Sequence, residues 1–164
     1  MKTLHLKNQI KQNVNSGYVN ELALTYRKSS VIVDMGCYSI NSSAKVAALL
    51  RSIWNSDEME VRESFYLLCF SSRLDLLGFQ KVADGGMDAI LVDMRLLFST
   101  ALLCRSASIV IAHNHPSGTM KPSEADRVLT RQVDAAGKLL NINLNDHIIL
   151  TAKGYYSFRD EGLL

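Results

Sequence analysis

Proline is nearly missing from this chain. There are two among 164 residues, Pro116 and Pro122, and both fall in the stretch AHNHPSGTMKPSEAD, residues 112–126. No repeat and no low-complexity tract interrupts the sequence. Cysteine is scarce too: Cys37, Cys69 and Cys104 make an odd count with wide spacings and no CxxC. That excludes a disulfide framework. Each cysteine sits among apolar residues, so buried free thiols and a reducing compartment are expected. Charge of one sign is also lacking. Eighteen Lys and Arg face sixteen Asp and Glu, a formal net charge of +2. Neither a nucleic-acid nor a membrane partner follows from that balance. Lys2, Lys7 and Lys11 are spread among polar residues, as in a solvated tail. No apolar run approaches the ~18 residues of a membrane span. The N-terminus, MKTLHLKNQIKQN, has a basic start but no apolar core, so no signal peptide is expected. The expectation is a soluble cytoplasmic protein.

Hydrophobic residues are plentiful, at 48%. A chain of this length can bury one full core. Residues 1–29 are polar and weakly patterned, a lead-in with a short strand near Glu21–Tyr26. The domain proper is expected over residues 30–164. Val31–Val33 is a β-branched strand candidate. Ser42 or Ser43 can cap a helix carrying Val46, Leu49, Leu50, Ile53 and Trp54 on one face. SFYLLCFS, residues 64–71, is a continuous apolar run, as in a strand buried on both faces. Leu74–Val82 looks like its hairpin partner, ended by the turn Asp84-Gly85-Gly86.

A helix is expected over 92–105, striped by Leu96, Leu97, Thr100, Ala101 and Cys104. Ser108–Ala112 is a short strand. The clearest helix spans 124–140, with Val128, Leu129, Gln132, Val133, Ala136, Leu139 and Leu140 on one side. Leu144–Thr151 is a last strand, and Gly154 opens a polar-aromatic tail. Helices alternate with strands around one hairpin. That predicts an α/β domain with a mixed sheet flanked by helices.

The stretch at 112–126 carries the chemistry. In an extended segment, residues i and i+2 project to one side, so His113 and His115 can face one point. Pro116 turns the chain away, and Gly118 permits a sharp loop. Pro122 and Ser123 open the long helix, with Asp126 in its first turn. Two imidazoles and a carboxylate fill three places on a tetrahedral zinc, leaving one for water, the mark of a catalytic site. Zinc would bring that water's pKa toward ~7. Ser123-x-x-Asp126 also resembles a capping box, with Asp in place of Glu or Gln. The two readings can coexist.

The pattern H-x-H-P-x(6)-S-x-x-D, from His113 to Asp126, resembles that of the JAMM (MPN) metalloproteases. More narrowly, HNHPSG…PSEAD, NDHIIL and YYSFRDEGLL resemble the RadC family, from about Ile40 to the end. The chain looks like a short form without the upstream helix-hairpin-helix region that bacterial RadC proteins often carry. The resemblance implies a three-layer, cytidine-deaminase-like α/β fold and one zinc ion per chain. It assigns His113, His115 and Asp126 as metal ligands and Ser123 as the residue that steadies an oxyanion. It also implies a distant glutamate as general base. The segment R-E-S-F matches the family's R/E-E-x-F and selects Glu63 over Glu60. Read alone, Glu63 could instead end the acidic stretch DEMEVRE on a solvated edge.

Asp146 and His147 stand outside the pattern. A hydrogen bond to a ligand histidine and a satisfied, partly buried pair without a role both remain open. His5 is given no role. Asn114 should point away from its neighbours and serve a loop hydrogen bond. The leading function is a zinc metallohydrolase, a peptidase or isopeptidase acting on a peptide or protein. A DNA-repair-associated or DNA-binding RadC-type module is the first alternative, though no basic stripe supports it. A non-catalytic MPN interaction scaffold is the second. A nucleoside deaminase is set aside, because H-x-E…P-C-x-x-C is absent.

Overall fold

The computed structural model describes residues 42–85 and 91–164. The strands expected at Glu21–Tyr26 and Val31–Val33, together with Cys37, His5 and the expected boundary near residue 30, lie outside them.

The sheet is built around its most apolar segment. Strand β1 (Ser64–Phe70) is buried at every position, as SFYLLCF suggests. Strand β2 (Leu76–Asp84) pairs with it antiparallel on one side, two residues later than the sequence places it. Strand β3 (Ser108–Asn114) pairs antiparallel on the other. Strand β4 (Asn143–Leu150) runs parallel to β3. A parallel neighbour needs a crossover, and the long helix α3 (Glu124–Leu140) supplies it. A short strand β5 (Tyr155–Ser157) closes the order β2-β1-β3-β4-β5. The polar-aromatic tail therefore contains a strand that its three-residue length hid from the sequence.

Alternation along the strands divides the core in two. Tyr66, Leu68, Phe70, Val110, Ala112, Ile148 and Leu150 face helix α1 (Ser43–Ile53). Phe65, Leu67, Cys69, Ile109 and Ile111 face helix α2 (Met94–Leu103) and α3. The result is the expected α/β arrangement in three layers. Helix α1 is capped by Ser42, whose side chain accepts from Lys45 N.

Two helix faces differ from the sequence reading. In α2, Leu97, Phe98 and Ala101 are buried, while Leu96 is 42% exposed. In α3, the buried line is Thr130, Val133 and Gly137, flanked by Leu129 and Ala136. Gln132, Val128, Leu139 and Leu140 are exposed. The reason is anchoring. Asp126 is tied to the histidines at one end of α3, and Gly137 lies against Ile142 O at the other. Those contacts at the two ends fit a rotation that turns Thr130, Val133 and Gly137 inward. Helix α2 is also shorter than 92–105, because Asp93 caps it by accepting from Arg95 N. Strand β3 runs two residues further than Ala112 and takes in His113 and Asn114.

Candidate metal centre

The pleat of β3 aims the site. His113 shares a face with Ile109 and Ile111, the face that α3 covers. Its ring is buried, and α3 begins beside it. His113 Nε2 lies 2.9 Å from His115 Nε2 and 3.1 Å from Asp126 Oδ1. His115 Nε2 is 3.6 Å from Asp126 Oδ2. Among the described residues, these three form the group able to hold a metal ion, with ligand atoms within 4.8 Å of one another.

Each donor is held from behind. His115 Nδ1 lies 2.7 Å from Thr119 O. A carbonyl only accepts, so Nδ1 carries the proton and Nε2 presents a lone pair when the ring is neutral. Asp126 Oδ2 accepts from Ser123 N at 2.7 Å and from Ser123 Oγ at 2.6 Å, while Ser123 Oγ accepts from Asp126 N at 3.1 Å. The capping box is real, and the same aspartate faces the histidines. The candidate metal ligand and the helix cap are one residue.

The electrostatics fit a cation. Burial alone would raise the Asp126 carboxyl. Hydrogen bonds from His113 and His115, the His113 charge and Ser123 outweigh it and hold Asp126 far below the ordinary carboxylate range. His115 is pushed up, first by its hydrogen bond to Asp126, against burial. Thr119 O and the charges of Asp126 and Glu63 add to the rise. Two imidazole nitrogens and a carboxylate in this arrangement suit zinc.

Glu63 lies just before β1. The register pairs Phe65 with His113, so the next positions on that face are Glu63 and His115. It is half-buried, whereas Glu60 is exposed. Its backbone is fixed from both flanks. Glu63 O accepts from Gly85 N at 2.9 Å. Ser64 N donates to Asn114 Oδ1 at 2.7 Å. Asn114 Nδ2 donates to Met59 O at 2.7 Å and to Arg62 O at 2.9 Å. Asn114 does point away from its neighbouring histidines, but it is fully buried in a strand. There it ties down the segment that carries Glu63. Ser123, expected to steady an oxyanion, has its hydroxyl committed to Asp126.

His147 is the residue that sequence reasoning left open. Its Nε2 is 2.9 Å from His113 Nδ1, and its Nδ1 is 2.7 Å from Thr130 Oγ1. It is fully buried and stacks on Phe158, with ring centroids 4.6 Å apart. Burial, then the charge of His113, holds its pKa well below the ordinary histidine value. Asp146 points elsewhere. It accepts from His147 N, Arg159 N and Ser157 Oγ, and no hydrogen bond among the described residues joins it to the side chain of His113, His115 or Asp126. Thr130 was not anticipated, and its only sequence signal is its place one helical turn after Asp126.

Residues 40–163 match the model of the RadC-like JAB domain family. The chain belongs to that family. It is similar to a UPF0758 protein of Thermotoga maritima, 37% identical over 103 residues, 63% of this chain and 46% of the relative. A UPF0758 protein of Rubrobacter xylanophilus is 36% identical over 139 residues, 84% of this chain and 59% of the relative. One from Porphyromonas gingivalis is 39% identical over 104 residues, 63% and 46% of the two chains. The chain thus spans about half the length of these curated relatives. The family match covers every residue of the metal centre, along with Glu63, Asn114, Thr130 and His147.

Proposed function

We propose that this protein is a zinc-dependent hydrolase of the JAMM type, cleaving a peptide or isopeptide bond in a peptide or protein substrate. The observation that supports this most is the convergence of His113 Nε2, His115 Nε2 and an Asp126 oxygen, each braced by a separate contact. Those three side chains would hold the ion. A zinc ion there supplies a Lewis acid for the scissile carbonyl and makes water acidic enough to ionise near neutral pH.

The chain's own groups carry the protons. Glu63 takes one from water as the carbon–oxygen bond forms. It returns that proton to the leaving nitrogen as the carbon–nitrogen bond breaks, so one carboxylate serves as base and then acid. Ser123 can donate to the developing oxyanion once its hydroxyl releases Asp126 Oδ2. Free Cys69 and Cys104 support a reducing, cytoplasmic setting. No helix of the described residues is long and apolar enough to cross a membrane.

Metal content by mass spectrometry tests the reading. About one zinc per chain is expected, and none in the His113→Ala/His115→Ala double variant. Glu63→Gln should keep the zinc and lose turnover on a peptide or isopeptide panel by roughly 10²–10⁴-fold. Full turnover in Glu63→Gln would show that another group is the base.

A further inference from the structure

We infer that Thr130 and His147 are positioning residues that lock His113 in the tautomer with its proton on Nδ1, leaving Nε2 bare for a metal ion. The inference rests on the zinc reading for its purpose and on hydrogen-bond direction for its substance.

The direction is set at the far end of the chain. Thr130 Oγ1 lies 2.6 Å from Asp126 O. That carbonyl cannot donate, so the single hydroxyl proton of Thr130 points to it. At 2.7 Å from His147 Nδ1, Thr130 Oγ1 must then accept. His147 therefore carries its proton on Nδ1. Its two ring nitrogens meet only His113 and Thr130 among the described hydrogen bonds. An enclosed ring with no carboxylate hydrogen-bonded to it is neutral and has one N–H. His147 Nε2 is then a lone pair facing His113 Nδ1 at 2.9 Å, and His113 Nδ1 must be the donor. Whenever the His113 ring is neutral, its one N–H is therefore on Nδ1, and Nε2, which donates to Asp126 only in the imidazolium, is left as a lone pair beside His115 and Asp126.

One proton arrangement satisfies the three links on this side of the ring: His113 Nδ1–H to His147, His147 Nδ1–H to Thr130, Thr130 O–H to Asp126 O. The relay starts on one ligand and ends on the backbone of another. Ligand histidines usually lean on a carboxylate, a carbonyl or water. Here a second neutral histidine does this work, and a threonine polarises it. Phe158, stacked on His147, fixes the plane of that ring.

Two readouts test the inference on the full chain. The first is long-range ¹H–¹⁵N NMR of the histidine rings in metal-free protein. The second is zinc affinity, measured with Zn²⁺ against a chromogenic chelator. Wild type should show His113 protonated at Nδ1. Thr130→Val keeps the branched shape but removes the hydroxyl. It should mix the His113 tautomers and weaken zinc by about tenfold, and Thr130→Ser should restore both. If Thr130→Val does not fold, His147→Phe, which suits the apolar wall beside Phe158, carries the same test. An unchanged His113 tautomer together with zinc affinity within about twofold of wild type would overturn the inference. Wild type that binds no zinc, yet loses its His113 tautomer in Thr130→Val, would overturn the zinc reading and leave the relay standing.

Discussion

Replacing Asn114 with alanine would strip three hydrogen bonds at once. Each buried polar group left without a partner costs ~1–3 kcal/mol. Asn114→Ala should therefore lose about 3 kcal/mol or more in urea unfolding, while His113 and His115 stay in place. A loss under about 1 kcal/mol would mean that the segment from Met59 to Ser64 is held by other contacts.

Asp146 gives a pH test. Burial raises its pKa, against the bonds from Ser157, Arg159 N and His147 N. Its folded value lies above the unfolded one, so folding takes up a proton in the window between them. Wild type then loses stability as pH rises from about 4 through that window. Asn does not titrate. Relative to wild type, Asp146→Asn should fare worst near pH 4 and improve toward neutrality. Thermal unfolding at both pH values checks this, and a difference that does not move with pH would contradict the assignment. At this scale His113 and His115 were legible because spacing alone brings i and i+2 together, and Asp126 from its place in the first turn of the helix that follows. Thr130 and His147 were not. One looks like an ordinary helix residue and the other like a strand residue, and only the packing of α3 on β4 joins them.

Helix α3 shows how propensity can mislead. Gly137 in mid-helix ordinarily costs up to ~1 kcal/mol against alanine. A Cβ at this position would lie 2.4 Å from Ile142 O. That carbonyl belongs to the tight return into β4, where Asn141 takes a left-handed φ of 55°. Gly137→Ala should therefore destabilise, by roughly 1–3 kcal/mol as an overpacked site does. Leu139→Lys, at a position 86% exposed, should fall within about 0.5 kcal/mol of wild type. Both are read from chemical denaturation. Periodicity located α3 to the residue, because its cap and its polar face are strong local signals. It placed Leu129, Val133 and Ala136 correctly but drew the buried side too wide, taking in the exposed Val128, Gln132, Leu139 and Leu140 and missing the small and polar Thr130 and Gly137. The strands from β1 to β4 were legible from apolar runs. The three residues of β5 were not, because so short a strand depends on its neighbour for definition.

At the scale of the whole molecule, a metal bound at this centre would add to global stability. A ligand that binds only the folded chain stabilises it by mass action, ~2.7 kcal/mol at a hundred times its dissociation constant. The His113, His115 and Asp126 donors come from a strand end, a loop and a helix start, which the unfolded chain does not hold together. Adding zinc should raise the melting temperature of metal-free protein by several degrees, and a chelator should reverse the shift. No shift with saturating zinc would argue against a folded-state site.

The alternation of β3 has one more consequence, for folding errors. Sliding that strand by one position against β1 would turn Asn114 toward α3 and both histidines toward α1. The slip would bury the amide where ligands belong and abandon the anchor of the Glu63 segment in the same step. Correct pairing is thereby checked from both faces of a single strand: in the wrong register the candidate ligands and the anchor of the Glu63 segment are lost together.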